Sequence, residues 1–361
     1  MVSEIGMWKE KLEEKILEKS KKMSNIKDPS QFDLQTIPKR IYYRKEFDAV
    51  IEKVAEYVLT GLPTHIIIFG PRGSGKTTLI NGLMETMRET KNIPYYYVTA
   101  RESPSSYEVY QHLLNIEKAG HQASFMIEKI KKKFQEKAFI VIDEADFLRD
   151  YNFLFIISRF TKASIIILAQ NIHFLDNVDD STRSSLAPHP IVFNPYNAEE
   201  IRTILHYRAE DGLYTFNDSS LNLIAAKVAN NYYSDTRIAI RALFHAGAEN
   251  AWTEESVNKA LKLAEKEIEL GTLRGLNLRN LIILQSLITN NNTNAAYEIA
   301  KRICTEHNIT LSKPTFFHDL NYLQNLGLIT LIRAHVGRTY TYEVQLLFNT
   351  EILKEISKNT Y

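Results

Sequence analysis

The chain has 361 residues, enough for about two or three domains at roughly 100 to 200 residues each. Its 44 Lys and Arg against 43 Asp and Glu leave a formal charge of +1, which excludes a global basic field, so any grip on nucleic acid must come from local patches. Cys304 is the one cysteine, which excludes an internal disulfide framework and fits a reducing compartment. The start, MVSEIGMWKEKLEEK, is charged and lacks the apolar core of a signal peptide, and no apolar run approaches the length of a bilayer span. A soluble cytoplasmic protein with no membrane partner is expected.

Residues 1–30 form a charged N-terminal segment with Ile5, Trp8, Leu12 and Ile16 at helical spacing, ahead of Lys19, Lys21 and Lys22. The spacing predicts a short amphipathic helix that packs on the body or frays, with a DNA-touching tail as the lesser reading. From residue 31 strands and helices alternate. Strands are expected at His65–Phe69, Pro94–Thr99, Ala138–Ile142, Ser164–Ala169 and Pro190–Phe193, joined by helix-length connections. Apolar runs too short for helices, linked this way, specify an α/β fold with a parallel five-stranded sheet covered on both faces, occupying residues 31–195.

The first strand runs into Gly70–Thr77, GPRGSGKT, which matches the phosphate-binding pattern G-x-x-x-x-G-K-[ST] in the required strand, loop and helix context. Glycines at 70, 73 and 75 free the backbone of this loop, which runs through Pro71, Arg72 and Ser74, to turn its N–H groups inward. The following helix, opening at Lys76, Thr77 and Thr78, offers its N-terminal dipole to the same anion. Lys76 is expected to reach the terminal phosphates of ATP or ADP, and the Thr77 hydroxyl to hold Mg²⁺. Ala138–Asp146, AFIVIDEAD, is a buried strand ending in paired acids, the Walker B pattern. Asp143 is assigned to the metal and Glu144 to the attacking water, since one carboxylate cannot perform both tasks. SIIILAQN, Ser164–Asn171, ends in an amide; Asn171 would bond the γ-phosphate or the lytic water, with Gln170 its ambiguous neighbour. Arg237, in SDTRIAI, would approach the same phosphate from a helical lid. P-loop, Asp-Glu pair, strand-Asn and helix-Arg is the order of parts in AAA+ ATPases.

After Phe193 the strands stop. Asn197 and Glu200 form a capping pair, and helical periodicity continues to about Leu270 with breaks at Asn217-Asp218 and Trp252-Thr253, giving a helical lid over 196–270. Residues 271–361 read as three helices, the last Lys313–Asn325, and then a hairpin around His335-Val336-Gly337-Arg338, a winged helix-turn-helix. Phe316, Leu320 and Leu323 make the inner face of the third helix. Ser312 as N-cap, with Lys313, Thr315, His318 and Asn321 facing out, and Arg333, His335 and Arg338 on the wing, are the candidate DNA contacts. Nine Lys or Arg against six Asp or Glu in this segment make only a modest cationic surplus, which leaves a protein-binding winged helix as the bland reading.

These parts together resemble the archaeal origin-recognition and cell-division-cycle replication-initiator family within AAA+, over roughly residues 31–345. Ile37-Pro38 and Tyr43-Arg44-Lys45-Glu46 are similar to the family segment that lies against adenine, and Arg101–Tyr107, RESPSSY, to its initiator-specific insertion. Ser184-Ser185-Leu186, IVFNPYNAEEI and Ser234–Arg237 follow in the family's order. The resemblance implies that Tyr43, Arg44, Tyr196 and Arg208 face the nucleotide, and that Arg101, Ser105, Ser106 and Tyr107 touch DNA. Arg183 lies near where AAA+ proteins place a residue acting on a neighbour's nucleotide. The implied function is an ATP-switched initiator that binds origin duplex, is associated with the nucleoid, and has the replicative helicase and paralogous initiators as further partners. An AAA+ ring motor of the clamp-loader or branch-migration kind, or a signalling NTPase with a protein-binding winged helix, are the alternatives. Arg72 has no assigned partner at this level: solvent, DNA and a neighbouring subunit are all open to it.

Overall fold

The computed structural model describes residues 4–116, 120–336 and 339–353. The chain divides into two compact units, Met1–Leu261 and Lys262–Tyr361. In the first, α1 (Glu4–Lys22) and α2 (Phe47–Thr60) precede an alternation of β1 (Ile66–Phe69), α3 (Lys76–Lys91), β2 (Tyr95–Thr99), α4 (Ser106–Leu114), α5 (Ala123–Lys133), β3 (Ala138–Asp143), α6 (Asn152–Phe160), β4 (Ala163–Ala169), α7 (Asp180–Leu186) and β5 (His189–Val192). Each expected strand is present within one residue of its expected bounds. The five strands lie in the order β2-β3-β4-β1-β5, and every pairing is parallel.

The sequence dictates this arrangement through burial. Every residue of β1, β3 and β4 is buried, as strands covered on both faces require, so their patterns are continuous runs with no alternation. Val50, Val54 and Tyr57 of α2 and Leu79, Ile80 and Met84 of α3 pack with Ile66, Ile68, Val141 and Ile166 of the sheet. Tyr57 is fully buried, and its hydroxyl donates to the Lys162 carbonyl at 2.6 Å and accepts from Ala138 N at 2.9 Å. Its polar tip thus closes the start of β3 against the turn before β4 instead of standing unpaired. Parallel strands also place their C-terminal ends along one edge. The loops after β1, β3 and β4, which carry the P-loop, Asp143-Glu144 and Asn171, therefore share that edge.

The lid consists of α8 (Ala198–Gly212), α9 (Asp218–Asn231), α10 (Thr236–Glu249) and the start of α11 (Glu254–Arg274), within which the two units divide. Asn197 caps α8: its side chain accepts from Glu200 N at 2.9 Å while Glu200 accepts from Asn197 N at 2.8 Å. Asn217 and Asp235 cap α9 and α10. The chain behind α1 is stitched to this layer. Asn25 Nδ2 donates to the Thr215 and Gly247 carbonyls at 2.9 and 3.1 Å, and a fully buried Phe32 stands where a Cβ on Gly212 would be. In α1 itself Trp8, Leu12 and Ile16 are 77, 61 and 58% exposed, so the expected helix forms but its apolar stripe is not packed on the body.

The second unit contains α12 (Leu278–Thr289), α13 (Thr293–Glu306), α14 (Lys313–Asn325) and an antiparallel hairpin of β6 (Ile329–Val336) and β7 (Thr339–Leu346). Ile282, Ile283, Leu287, Ala300, Phe316, Leu320, Leu323 and Val344 are buried in it. Arg279 of α12 forks onto the buried Asp319 of α14, Nε to Oδ2 at 2.5 Å and Nη2 to Oδ1 at 3.0 Å. This pair fixes the third helix against the first. No helix among the described residues is long and apolar enough to cross a membrane.

Candidate nucleotide site

The P-loop is built by contacts that only its own sequence permits. Gly73 and Gly75 have φ of 72° and 83°, in the left-handed region. Each also lies under another side chain: a Cβ on Gly73 would be 2.5 Å from Asp235 Oδ1, and one on Gly75 would collide with the Tyr196 hydroxyl. The lid therefore meets the loop directly, and Thr236 Oγ1 donates to the Gly73 carbonyl at 2.6 Å. Ser74 is buried and donates to the Pro71 carbonyl at 2.8 Å. Lys76 Nζ donates to the Gly70 and Pro71 carbonyls at 2.6 and 3.0 Å, and burial lowers its pKa to about 8 against the pull of Asp143 and Asp146. An anion in the loop would relieve this cost of burying the ammonium.

Asp143, Glu144 and Thr77 converge at the loop's rim. Thr77 Oγ1 donates to Asp143 Oδ2 at 2.8 Å, Tyr97 donates to the same oxygen, and Glu144 N donates to Oδ1 at 2.7 Å. The Thr77 hydroxyl and the Asp143 carboxylate are adjacent hard oxygen donors, the set that Mg²⁺ uses together with phosphate and water. No cluster of three or more His, Cys, Asp or Glu suited to a metal exists among the described residues. Glu144 sits in the left-handed region, φ 53°, which turns it out of the strand direction. Burial raises its pKa, as does the Asp143 charge, while Arg101, Arg72 and Arg237 oppose the rise. A carboxylate shifted upward beside a second acid is suited to accept a proton from water.

Asp146 clamps the end of β4, accepting from Gln170 N at 2.7 Å and Asn171 N at 2.9 Å. Asn171 Oδ1 is engaged by His173 N at 2.9 Å, which leaves donation from Nδ2 as the chemistry Asn171 can offer a phosphate or a water. From the lid, Arg237 forks onto Asp235, with Nε 2.9 and 3.1 Å from the two oxygens; burial works to lower its pKa and the ion pair outweighs it. Arg72 is half-buried, and its pKa is lowered to about 10 by burial first and then by Arg237, with Glu144 and Asp235 acting the other way. It belongs to the rim of this site.

Beside the loop, a cleft between base and lid is lined by Pro38, Arg40, Ile41, Tyr42, Gly75, Thr78, Leu79, Tyr196, Ile204, Arg208, Thr236 and Ile240. It is walled by apolar and aromatic surface and opens next to the P-loop, as a nucleoside pocket requires. Thr78, Tyr196 and Arg208 are thus in the cleft. Tyr43 is not: it is 53% exposed and its hydroxyl bonds Asp48, while its neighbour Tyr42 takes the place expected of it. Arg44 does not line the cleft either. It is 2% exposed behind the loop, donating to the carbonyls of Ser74 at 2.8 Å and Asn194 at 2.9 Å, with its guanidinium 4.7 Å from the centres of both the Phe193 and Tyr196 rings.

A family model described as an AAA domain matches residues 61–177. ORC1-type DNA replication protein 1 of Archaeoglobus fulgidus is 27% identical, covering 90% of this chain and 88% of its own. The fold matches that of the Aeropyrum pernix ORC1 protein, solved in complex with DNA, with a TM-score of 0.75 at 22% identity over 93% of this chain and 98% of that one. Cdc6p from Pyrobaculum aerophilum matches with a TM-score of 0.58 at 21% identity, covering 92% and 99%.

Over most of its length the chain is thus similar to AAA+ ATPases of the ORC1/Cdc6 type.

The candidate nucleic-acid residues fall into distinct groups. In the insertion, Arg101 is exposed, whereas Ser105 and Ser106 serve the fold. Ser105 caps α4 in a capping box with Glu108, and the buried Ser106 hydroxyl bonds Asp150 and accepts from Phe153 N at 2.9 Å. Tyr107 is half-buried with its hydroxyl enclosed. Both serines, expected at DNA, have roles within the fold: helix capping and closure of α4 onto the start of α6. In the second unit, Ser312 caps α14, accepting from Thr315 N at 3.2 Å, and Thr315 is half-buried against it. Lys313, His318 and Asn321 are exposed along α14, and Arg333 is exposed on β6. His335 pairs with Tyr340 in the hairpin backbone, and Arg338 lies outside the described residues. Arg183, on α7, donates from Nη2 to the Val178 carbonyl at 3.0 Å.

Residues the sequence did not single out are Tyr42, Tyr97, Asp146 as a clamp, and Asp235 as partner of Arg237. Only Asp235 carried a local signal, as an N-cap two residues before the arginine.

Proposed function

We propose that this protein is an ATP-switched replication initiator that binds origin duplex DNA, working in the cytoplasm on the nucleoid. The observation that carries the reading is the convergence on one rim of Lys76, the Thr77–Asp143 pair, Glu144 and the lid's Arg237, in a chain that also has a winged-helix unit. Similarity to proteins named as ORC1-type DNA replication proteins, and to an ORC1 protein solved with DNA, supports the same reading.

Lys76 and the loop N–H groups bind the phosphates of ATP or ADP, and the cleft between Tyr42, Tyr196 and Ile240 takes the base. Thr77 and Asp143 hold Mg²⁺, which when bound neutralises phosphate charge. Glu144 accepts a proton from the attacking water, while Asn171 donates to the water or to the γ-phosphate. Arg237 distinguishes ATP from ADP by exchanging Asp235 for the terminal phosphate. Because Asp235 and Thr236 rest on Gly73, that exchange alters how lid and loop meet, and this differential contact is what a nucleotide switch requires. Hydrolysis can then be slow, since the bound state carries the information.

On DNA, α14 would lie in the major groove and present Lys313, His318 and Asn321, with Arg333 and the wing on the backbone. Helicase and paralogous initiators are further partners under this reading. Footprinting on the DNA flanking the chain's own gene, with ATP and ADP compared, tests it. Nucleotide-dependent protection of a short repeated element is expected. Fast DNA-stimulated turnover by a stable ring, without selective protection, would favour a motor instead.

A further inference from the structure

Asp143 is held more tightly than its place at a strand end demands. β2 and β3 are paired in parallel with Tyr97 opposite Val141, and Asp143 is two residues beyond Val141. Strand periodicity therefore puts the Tyr97 and Asp143 side chains on the same face of the sheet. There the Tyr97 hydroxyl donates to Asp143 Oδ2, the oxygen that also accepts from Thr77 at 2.8 Å, and Glu144 N takes Oδ1 at 2.7 Å. Three elements thus aim donors at one carboxylate, which is 8% exposed. When the Thr77 oxygen serves a cation, Tyr97 and the Glu144 N–H remain, one on each oxygen, to fix the plane of the carboxylate.

We propose that Tyr97 is a positioning residue of the nucleotide site: its hydroxyl orients the Asp143 carboxylate toward the magnesium ion of a bound triphosphate. This rests on the nucleotide reading above. The ring and the hydroxyl of Tyr97 have separable roles. The ring packs against the core of β1, β3 and α3, whereas the hydroxyl reaches out of that core to the acid. Burial, and then the Asp143 charge, push the phenol far above its ordinary pKa, so at working pH it stays protonated and acts toward the carboxylate only as a donor. Outer partners that orient a ligating carboxylate set its affinity for the metal.

The test uses the full chain and its Tyr97→Phe variant, which keeps the ring. ATP affinity is measured by calorimetry in EDTA and across a Mg²⁺ titration, and Mn²⁺ binding in the presence of ATP is followed by electron paramagnetic resonance. The expected result is unchanged metal-free ATP affinity with the Mg²⁺ and Mn²⁺ midpoints raised about tenfold. Placed on an Asp143→Asn background, Tyr97→Phe should add nothing, because its effect passes through Asp143. Metal midpoints within about twofold of wild type, or equal losses with and without metal, overturn the proposal. A wild-type chain that binds ATP with no gain from Mg²⁺ overturns the proposal as well, whereas one that binds no ATP overturns the nucleotide reading itself.

Discussion

Replacing Arg44 by Lys keeps the charge and removes the fork. Arg44 anchors two separate backbone segments, Ser74 in the P-loop and Asn194 after β5, through carbonyl bonds of 2.8 and 2.9 Å, and pairs with Glu46 at 2.8 Å. Its guanidinium also lies between the Phe193 and Tyr196 rings. A lysine ammonium has no planar fork, so it cannot reproduce both carbonyl bonds and the stacking together. Loss of one charge-assisted bond costs about 1.5–3 kcal/mol. Weakened cation–π contact in a desolvated setting adds up to roughly 1–2 kcal/mol. We expect Arg44→Lys to destabilise the first unit by about 2–4 kcal/mol, and ATP affinity to fall by about tenfold because the Ser74 carbonyl loses its anchor. Urea denaturation followed by circular dichroism reads the first quantity, calorimetry the second, and hydrogen exchange across residues 66–80 shows whether the change lies in the loop. A variant within about 1 kcal/mol of wild type, with unchanged exchange there, would refute the view that Arg44 supports the loop from behind.

Further substitutions probe the site from other sides. Lys76→Ala should abolish ATP binding, and Glu144→Gln should retain binding while trapping the ATP form; a Glu144→Gln protein that hydrolyses ATP at the wild-type rate would remove Glu144 from its role. Gly75→Ala puts a Cβ at φ 83° against the Tyr196 hydroxyl, so roughly 1–2 kcal/mol of backbone strain joins a displaced cleft wall; ATP titration should show a markedly weaker complex at unchanged secondary structure. His65, buried at the start of β1, accepts from Ile165 N at 3.1 Å, and burial and then His189 lower its pKa to about 4. The unfolded chain takes up that proton near pH 6.5, which the folded chain refuses until about pH 4, so stability should be full above pH 6.5 and decline by up to roughly 3 kcal/mol as pH falls through that window. A His65→Asn chain should show a flatter acid limb in the same denaturation experiment.

What was legible in the sequence was whatever is encoded locally. Fully buried strands write themselves as unbroken apolar runs, the P-loop needs its glycines and lysine in one octapeptide, and Ser312 and Asn197 announce their helices one residue ahead. What escaped depends on contacts between distant segments. Tyr42 and Tyr43 are equivalent in sequence, and only the course of the extended chain before α2 decides which enters the cleft. The stripe of Trp8, Leu12 and Ile16 predicted a helix correctly, yet periodicity says which side is apolar and not whether anything covers it.

The same limit explains why the sequence left Arg72 without a place, and the structure supplies one. Arg72, Arg237 and Arg101 all act on the Glu144 carboxyl, Arg237 lowers the proton affinity of Arg72, and both lower that of Lys76. Cations from the loop, the lid and the insertion are thus assembled around one acid, with Asp235 as the counterweight on the lid side. Like charges held this close favour whatever anion enters between them, and they favour it more the more charge it carries. Under the proposed function such a site would favour a triphosphate over a diphosphate before any bond is broken, and the difference would be felt at Asp235, which lies against Gly73. Nucleotide sensing and lid position would then be one event at one contact, with Arg72 as part of it.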